Sequence, residues 1–268
     1  MPDQLSYSEE LEVFEKLVVM AIAVSDKSGG IKTLTLGIEA TKIYTRLTLG
    51  AMTINAILPG NSVNGHKLWD FPSVAILARA FLETTHRYLY LCNPGNSEDE
   101  RKFRQKLHYF HMNSEKYRLY SESDSNHKFL PEFEEKLPLE KAALMDSPIY
   151  SKLDKSTQKK VRSGNTEMHL TDQEIADEHK LAFGRFKTIY RLLSNHSHGS
   201  PFATTSQSNQ RGRGFENEAE RDYLALILLL LNRYLSKVVL SQIKLLKLEK
   251  HCRSADKYAK EIFSRLDT

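Results

Sequence analysis

The sequence predicts an all-α helical bundle, and three observations lead to this prediction. Apolar residues recur at helical spacing along most of the chain. Capping residues precede these segments, and Gly or Pro follows them. We find no alternating strand pattern of convincing length and no internal repeat at solenoid period. With 268 residues, 40% of them apolar, the chain can build a sizeable core as a single helical domain.

The predicted helices follow in chain order. A first helix begins after Ser6 or Ser8, and a second is stopped by Pro59-Gly60. The predicted elements are a first helix ending at Gly29-Gly30, a second over about 31–58, a third over 73–93, a fourth over 97–121, an irregular insertion or lid over 122–170, a helix opened by the capping box at Thr171, another over 180–195, a long helix over 216–249 and a C-terminal helix over 250–268. The core helices are thus expected in about 7–121 and 171–249.

Composition narrows the functional classes. Cys92 and Cys252 lie far apart without a metal-ligand pattern, so we expect neither a disulfide framework nor a zinc site. Walker, GxGxxG, HExxH and GxSxG motifs are absent, and we therefore predict no cofactor. The net charge of +4 is a mild excess that permits an anionic partner. Basic residues are concentrated in the fourth helix, together with tyrosines, and over 152–162.

Two features bear on location. The N-terminus, Met1-Pro2-Asp3-Gln4, carries no basic region followed by an apolar stretch, so we expect no signal peptide and a cytoplasmic protein. The apolar run Leu224–Leu231 is bounded by charged residues and is far shorter than a membrane span. It is typical of a buried helix, and we expect no membrane association.

The segment around Arg191 and His198 is the most distinctive chemical feature of the sequence. The two residues are seven positions apart, so on a helix they share a face, about 10 Å apart along the axis. Arginine offers a charged fork to phosphate, and histidine can move protons to and from a ribose hydroxyl. This pair suffices for RNA cleavage without a metal. Alternatively, Arg191 forms a surface ion pair and His198 is a histidine favoured at a helix C-terminus.

The residues between these two are further candidates. Ser194 and Asn195 could position a ribose, although a serine near a helix end more often bonds locally. His196 lies about 200° around the helix from His198, which makes it the poorer partner for Arg191.

A ladder of alternating charge occurs in the third predicted helix. Arg79, Glu83 and Arg87 stand at successive i,i+4 positions on one face. Because this helix is otherwise strongly apolar, part of the ladder is expected to be buried. It would then either orient Arg191 and His198 or fix a helix interface.

These residues carry a resemblance to a known superfamily. The pattern Tyr190-Arg191-x-Leu193-Ser194-x-x-x-His198-x-Ser200, with Ala78-Arg79-x-x-x-Glu83 upstream, resembles a bacterial helical family of unknown function and, more distantly, the HEPN proteins. In that superfamily an arginine and a histidine separated by four to six residues form the active site of many ribonucleases. The six-residue separation to His198 fits, and His196 fits as the four-residue alternative.

The resemblance implies a fold, an activity and partners. It implies a HEPN-like core with additional N-terminal helices, a site assembled across a homodimer, RNA as substrate and a role in toxin-antitoxin or phage-defence systems, with a regulatory partner protein. Leu192 departs from the pattern, because active HEPN ribonucleases commonly carry a polar residue there. Inactive relatives serve as binding modules, so the alternative is a non-catalytic helical interaction or nucleotide-binding module in a defence or regulatory system.

Overall fold

The computed structural model describes residues 6–59, 62–63, 66–93, 95–181, 186–205 and 213–265. Over these residues it confirms the all-α prediction and adds one antiparallel pair of two-residue strands, β1 (Ser62–Val63) and β2 (His66–Lys67). The sequence does not predict these strands, because two residues are too few to show an alternation of apolar and polar side chains. The helices are α1 (Tyr7–Ser28), α2 (Thr35–Ile57), α3 (Phe71–Cys92), α4 (Glu98–Ser123), α5 (Leu130–Met145), α6 (Pro148–Lys152), α7 (Lys155–Arg162), α8 (Asp172–Glu178), α9 (Phe186–Ser197), α10 (Pro201–Thr205), α11 (Glu218–Leu245) and α12 (Arg253–Arg265).

Several helix starts follow the predicted capping residues. The Ser6 side chain accepts a hydrogen bond from the Glu9 amide at the start of α1, and Ser97 does the same for Glu100 at the start of α4. Thr171 and Glu174 form a reciprocal capping box before α8. The second helix begins at Thr35, later than the predicted residue 31, and its N-cap, Leu34, supplies no side-chain hydrogen bond.

The chain folds into two compact units. The first comprises the residues up to Cys92 together with those from Ile175 onward, and the second is Asn93–Glu174. The sequence predicts that the fourth helix belongs to the core and that an insertion begins at residue 122. The structure instead groups α4 with α5, α6 and α7.

The first unit is built around α11. This helix packs against α1, α3 and α12, and its apolar residues from Leu224 to Val239 are almost all inaccessible to solvent. By length and composition α11 would suffice to cross a membrane, but 72% of its most apolar window is buried inside the unit. The apolar run therefore supplies the core on several sides.

A buried polar network ties four helices of the first unit together. The Tyr88 hydroxyl of α3 donates to Oε1 of Gln242 in α11 at 2.9 Å. The Gln242 amide donates in turn to the hydroxyls of Ser28 in α1, at 3.2 Å, and Thr41 in α2, at 3.3 Å. Burial raises the pKa of Tyr88 well above its usual value, so its hydroxyl keeps the proton that it donates.

The second unit has its own core. Side chains from α4, α5, α6 and α7 form it, namely Phe103, Leu107, Phe110, Leu144, Tyr150 and Val161. Pro131 and Pro148 lie in the first turns of α5 and α6, where a missing amide hydrogen costs nothing, whereas Pro138 lies inside α5. The stretch predicted as irregular, with short helices and loops, therefore contains a helix of 16 residues.

Candidate functional site

The candidate site lies on α9 and on the turn that follows it. Phe186, Ile189, Leu193 and His196 are buried along one face of α9, at the spacing of an amphipathic helix. This face packs against α3. The opposite face carries Arg191 outward, so the packing of α9 decides which of the predicted residues meet solvent.

Arg191 and His198 are both exposed. Neither side chain forms a hydrogen bond or an ion pair with any residue in the described ranges. The His198 amide donates to the Ser194 carbonyl at 3.3 Å, which continues the helical pattern by one residue beyond α9. The two side chains therefore leave the same side of the helix end, about 10 Å apart along the axis by helical geometry.

The two histidines of this segment occupy opposite environments. His196 is 7% exposed, and its ring meets that of Phe71 edge to face, with the centroids 4.8 Å apart. His198, two positions later, faces solvent. Of the two, only His198 can therefore contact a ligand at the surface without a rearrangement of α9.

A hydrogen-bonded turn fixes the position of His198. The Asn195 side-chain amide donates to the Arg191 carbonyl at 3.0 Å, and its Oδ1 accepts from the Ser200 hydroxyl at 3.0 Å. The Ser200 Oγ also accepts from the Ala203 amide at the start of α10. Gly199 permits the turn because its φ is +55°. Asn195 therefore holds the turn together, whereas the Ser194 hydroxyl is half-buried and adjoins the exposed pair.

The charged ladder of α3 contacts α9 through Tyr190, a residue to which the sequence pattern assigns no role. The Arg79 guanidinium carbon lies 3.4 Å from the ring centroid of Tyr190, and its Nη2 is 2.7 Å from Glu83 Oε1. The Arg79 side chain is only 15% exposed. Arg87, one turn further along α3, is half-buried. The sequence shows a tyrosine directly before Arg191, but it does not show that Arg79 of another helix is the partner of that ring.

This contact joins the supporting residues to the candidate site. Glu83 orients the guanidinium, and the guanidinium lies over the Tyr190 ring, as a cation–π pair requires. Because Tyr190 immediately precedes Arg191, the contact fixes the start of the segment that carries the exposed pair. The described residues contain no group of three His, Cys, Asp or Glu that could hold a metal ion.

Comparison with known proteins identifies a family. Residues 64–214 match a family of unknown function (DUF5677). This region is more than half of the chain and contains α3, the whole second unit and α9. No curated protein and no solved structure matches the chain.

Proposed function

Because the chain belongs to DUF5677, a family of unknown function, we propose an activity from the geometry of the site itself. The proposed activity is metal-independent cleavage of RNA by a HEPN-type endoribonuclease, with Arg191 and His198 as the catalytic residues. The observation that carries the proposal is that α9 and the hydrogen-bonded turn after it hold both side chains exposed and without partners among the described residues, while the neighbouring His196 is buried.

The two side chains have complementary roles in the proposed reaction. His198 accepts the proton of a ribose 2′-hydroxyl as its oxygen attacks the adjacent phosphorus, and the bond from phosphorus to the 5′-oxygen breaks. Water carries the proton from His198 to the leaving 5′-oxygen, and the products are a 2′,3′-cyclic phosphate and a free 5′-hydroxyl. Arg191 binds the non-bridging phosphate oxygens, whose negative charge grows in the transition state. Ser194 is the remaining polar side chain that could position the ribose.

The residues behind the pair act as positioning residues. Arg79, Glu83 and Tyr190 fix α9 against α3, and Asn195 and Ser200 fix the turn that carries His198. A homodimer would bring two such exposed sites together and double the positive charge offered to an RNA backbone. We place the protein in the cytoplasm, as a toxin or phage-defence effector with a regulatory partner.

The activity is tested with labelled total RNA and transfer RNA in excess chelator. Wild type should cleave, and His198→Ala and Arg191→Ala should not. His251→Ala is the matched control, because it removes another exposed histidine of the same unit, far from α9 in sequence. Since His198 and Arg191 are exposed, their removal should leave the thermal midpoint nearly unchanged.

The pattern of cleavage among the four proteins shows whether the activity depends on Arg191 and His198. Cleavage by wild type and His251→Ala alone supports the proposal. Equal cleavage by all four proteins would show that the activity does not depend on this pair and would refute the assignment. Light scattering on the same samples tests the dimer.

A non-catalytic interaction module is the second candidate. It is favoured by Leu192, which replaces the polar residue expected beside the catalytic arginine, and by the exposure of the pair at the surface. An exposed arginine is also a common anchor in protein interfaces. Absence of cleavage by every variant, together with an RNA- or protein-binding affinity that falls on Arg191→Ala, would favour this candidate.

A further inference from the structure

The second unit contains a cleft whose lining shares no residue with the candidate nuclease site. It is lined by residues of α4, α5 and the C-terminal end of α7, and its volume is about 480 Å³. Small-molecule sites commonly have volumes of about 300–1,000 Å³. The cleft is thus large enough for a ligand the size of a nucleotide.

The charge of the cleft is positive. Arg118, Lys141 and Arg162 line it, and none of its lining residues is acidic. Lys141 and Arg162 form no hydrogen bond or ion pair with any residue that the structure describes. Arg118 is paired with Glu115, whose carboxylate lies outside the lining. Two cations therefore remain available to an anionic ligand.

The wall that carries Arg162 is held rigidly against α4. The Arg118 Nη2 donates to the Ser163 carbonyl and to Asn165 Oδ1, each at 2.7 Å. Gly164 has a φ of +68°, and a Cβ at this position would approach the Ser114 Cβ to 2.7 Å. The end of α7 therefore packs directly on α4, and these contacts fix the position of this side of the cleft.

The floor of the cleft is apolar and aromatic. Phe110, which is buried, lines the cleft together with Leu137 and the half-buried ring of Tyr117. The Tyr117 hydroxyl donates to Glu134 at 3.5 Å, and no aromatic ring among the described residues stacks on the Tyr117 ring. An apolar and aromatic surface beside two cations matches a ligand that joins a planar base to a phosphate.

We propose that this cleft binds a nucleotide, with the phosphate on Lys141 and Arg162 and the base against Tyr117 and Leu137. The exposed Lys159 and Lys160 of α7 add to the attraction for an anion. The nucleotide is either a free nucleoside monophosphate or one residue of single-stranded RNA. The site goes beyond the proposed nuclease and does not depend on Arg191 or His198.

Titration calorimetry of the full chain with AMP, with a short single-stranded RNA and with inorganic phosphate tests the proposal. The double variant Lys141→Ala/Arg162→Ala should weaken AMP or RNA binding about tenfold or more, because two charge-assisted contacts are lost. Lys116→Ala/Lys155→Ala removes two exposed cations of the same unit outside the cleft lining and should change affinity by less than about twofold. His198→Ala should bind AMP as tightly as wild type does, because His198 does not line the cleft.

Each result decides a specific point. AMP binding as tight as that of the RNA would identify the free nucleotide as the ligand, and binding of the RNA alone would identify the strand. Phosphate binding as tight as AMP would overturn the stacking role of Tyr117. No binding to wild type at millimolar ligand, or an equal loss in both double variants, would overturn the site. A loss in His198→Ala alone would place the nucleotide at the candidate nuclease site instead.

Discussion

The hydrogen bond between Tyr88 and Gln242 should make a measurable contribution to the stability of the first unit. Both side chains are fully buried, and the Tyr88 hydroxyl donates to Gln242 Oε1. Tyr88→Phe removes that donor and leaves a buried carbonyl oxygen unsatisfied, at a cost of about 1–3 kcal/mol in the free energy of unfolding. The thermal midpoint should fall by about 2–4 °C per kcal/mol for a unit of this size.

Substitution of the acceptor, Gln242, should lower the free energy of unfolding by a similar amount, because it also leaves a buried polar group unsatisfied. Gln242→Leu removes the acceptor of the Tyr88 hydroxyl and two amide hydrogen bonds. The two hydroxyls that lose the amide keep their own donations, from Ser28 to the Val24 carbonyl and from Thr41 to the Gly37 carbonyl, both at 2.8 Å. The main penalty is therefore the unsatisfied hydroxyl of Tyr88, and we again expect about 1–3 kcal/mol.

The double variant Tyr88→Phe/Gln242→Leu separates this interaction from packing. With both polar partners gone, no unsatisfied group remains between them, so the total loss should be about 1–2 kcal/mol smaller than the sum of the single losses. Urea unfolding followed by circular dichroism measures all four free energies. Tyr234→Phe with Gln242→Leu is the control, since Tyr234 bonds His86 and lies about 12 Å from Gln242 along α11. Strict additivity of the Tyr88 and Gln242 losses would refute the reasoning.

With Gly199 of the first unit as a comparison, two further predictions concern the second unit. Gly164→Ala should destabilise the second unit by about 2–4 kcal/mol, because a positive φ and a clash with Ser114 act together. Gly199→Ala also has a positive φ but open space around its Cβ, so it should cost only about 1 kcal/mol. Urea unfolding of both variants checks the difference. Burial lowers the pKa of His169; the nearby Arg104 also lowers it, whereas Glu100 raises it. Below about pH 6.5 the unfolded chain therefore binds a proton that the folded unit does not, so the stability of the unit falls as the pH falls. The urea midpoint of wild type should therefore decrease between pH 7 and pH 5.5 more steeply than that of His169→Gln, and parallel curves would contradict the assignment.

Local signals in the sequence determined most of the helices. Capping residues act within one turn of chain, so Ser6, Ser97 and Thr171 could be recognised without any tertiary information. The spacing of Arg191 and His198 on one face is likewise a property of the helix itself. The prolines in 122–170 predict an irregular stretch because proline commonly breaks a helix, although two of the three lie in the first turns of helices.

Tertiary packing decided the rest, because burial depends on which face of a helix meets a neighbour. The sequence left His196 and His198 both open as partners for Arg191, and the packing of α9 on α3 buries the first and exposes the second. The contact between Arg79 and Tyr190 joins positions more than a hundred residues apart. The cleft beside Lys141 and Arg162 likewise needs three helices to meet. Helical periodicity depends on residues that are close together in the sequence, whereas a surface shared by distant segments exists only once the chain has folded.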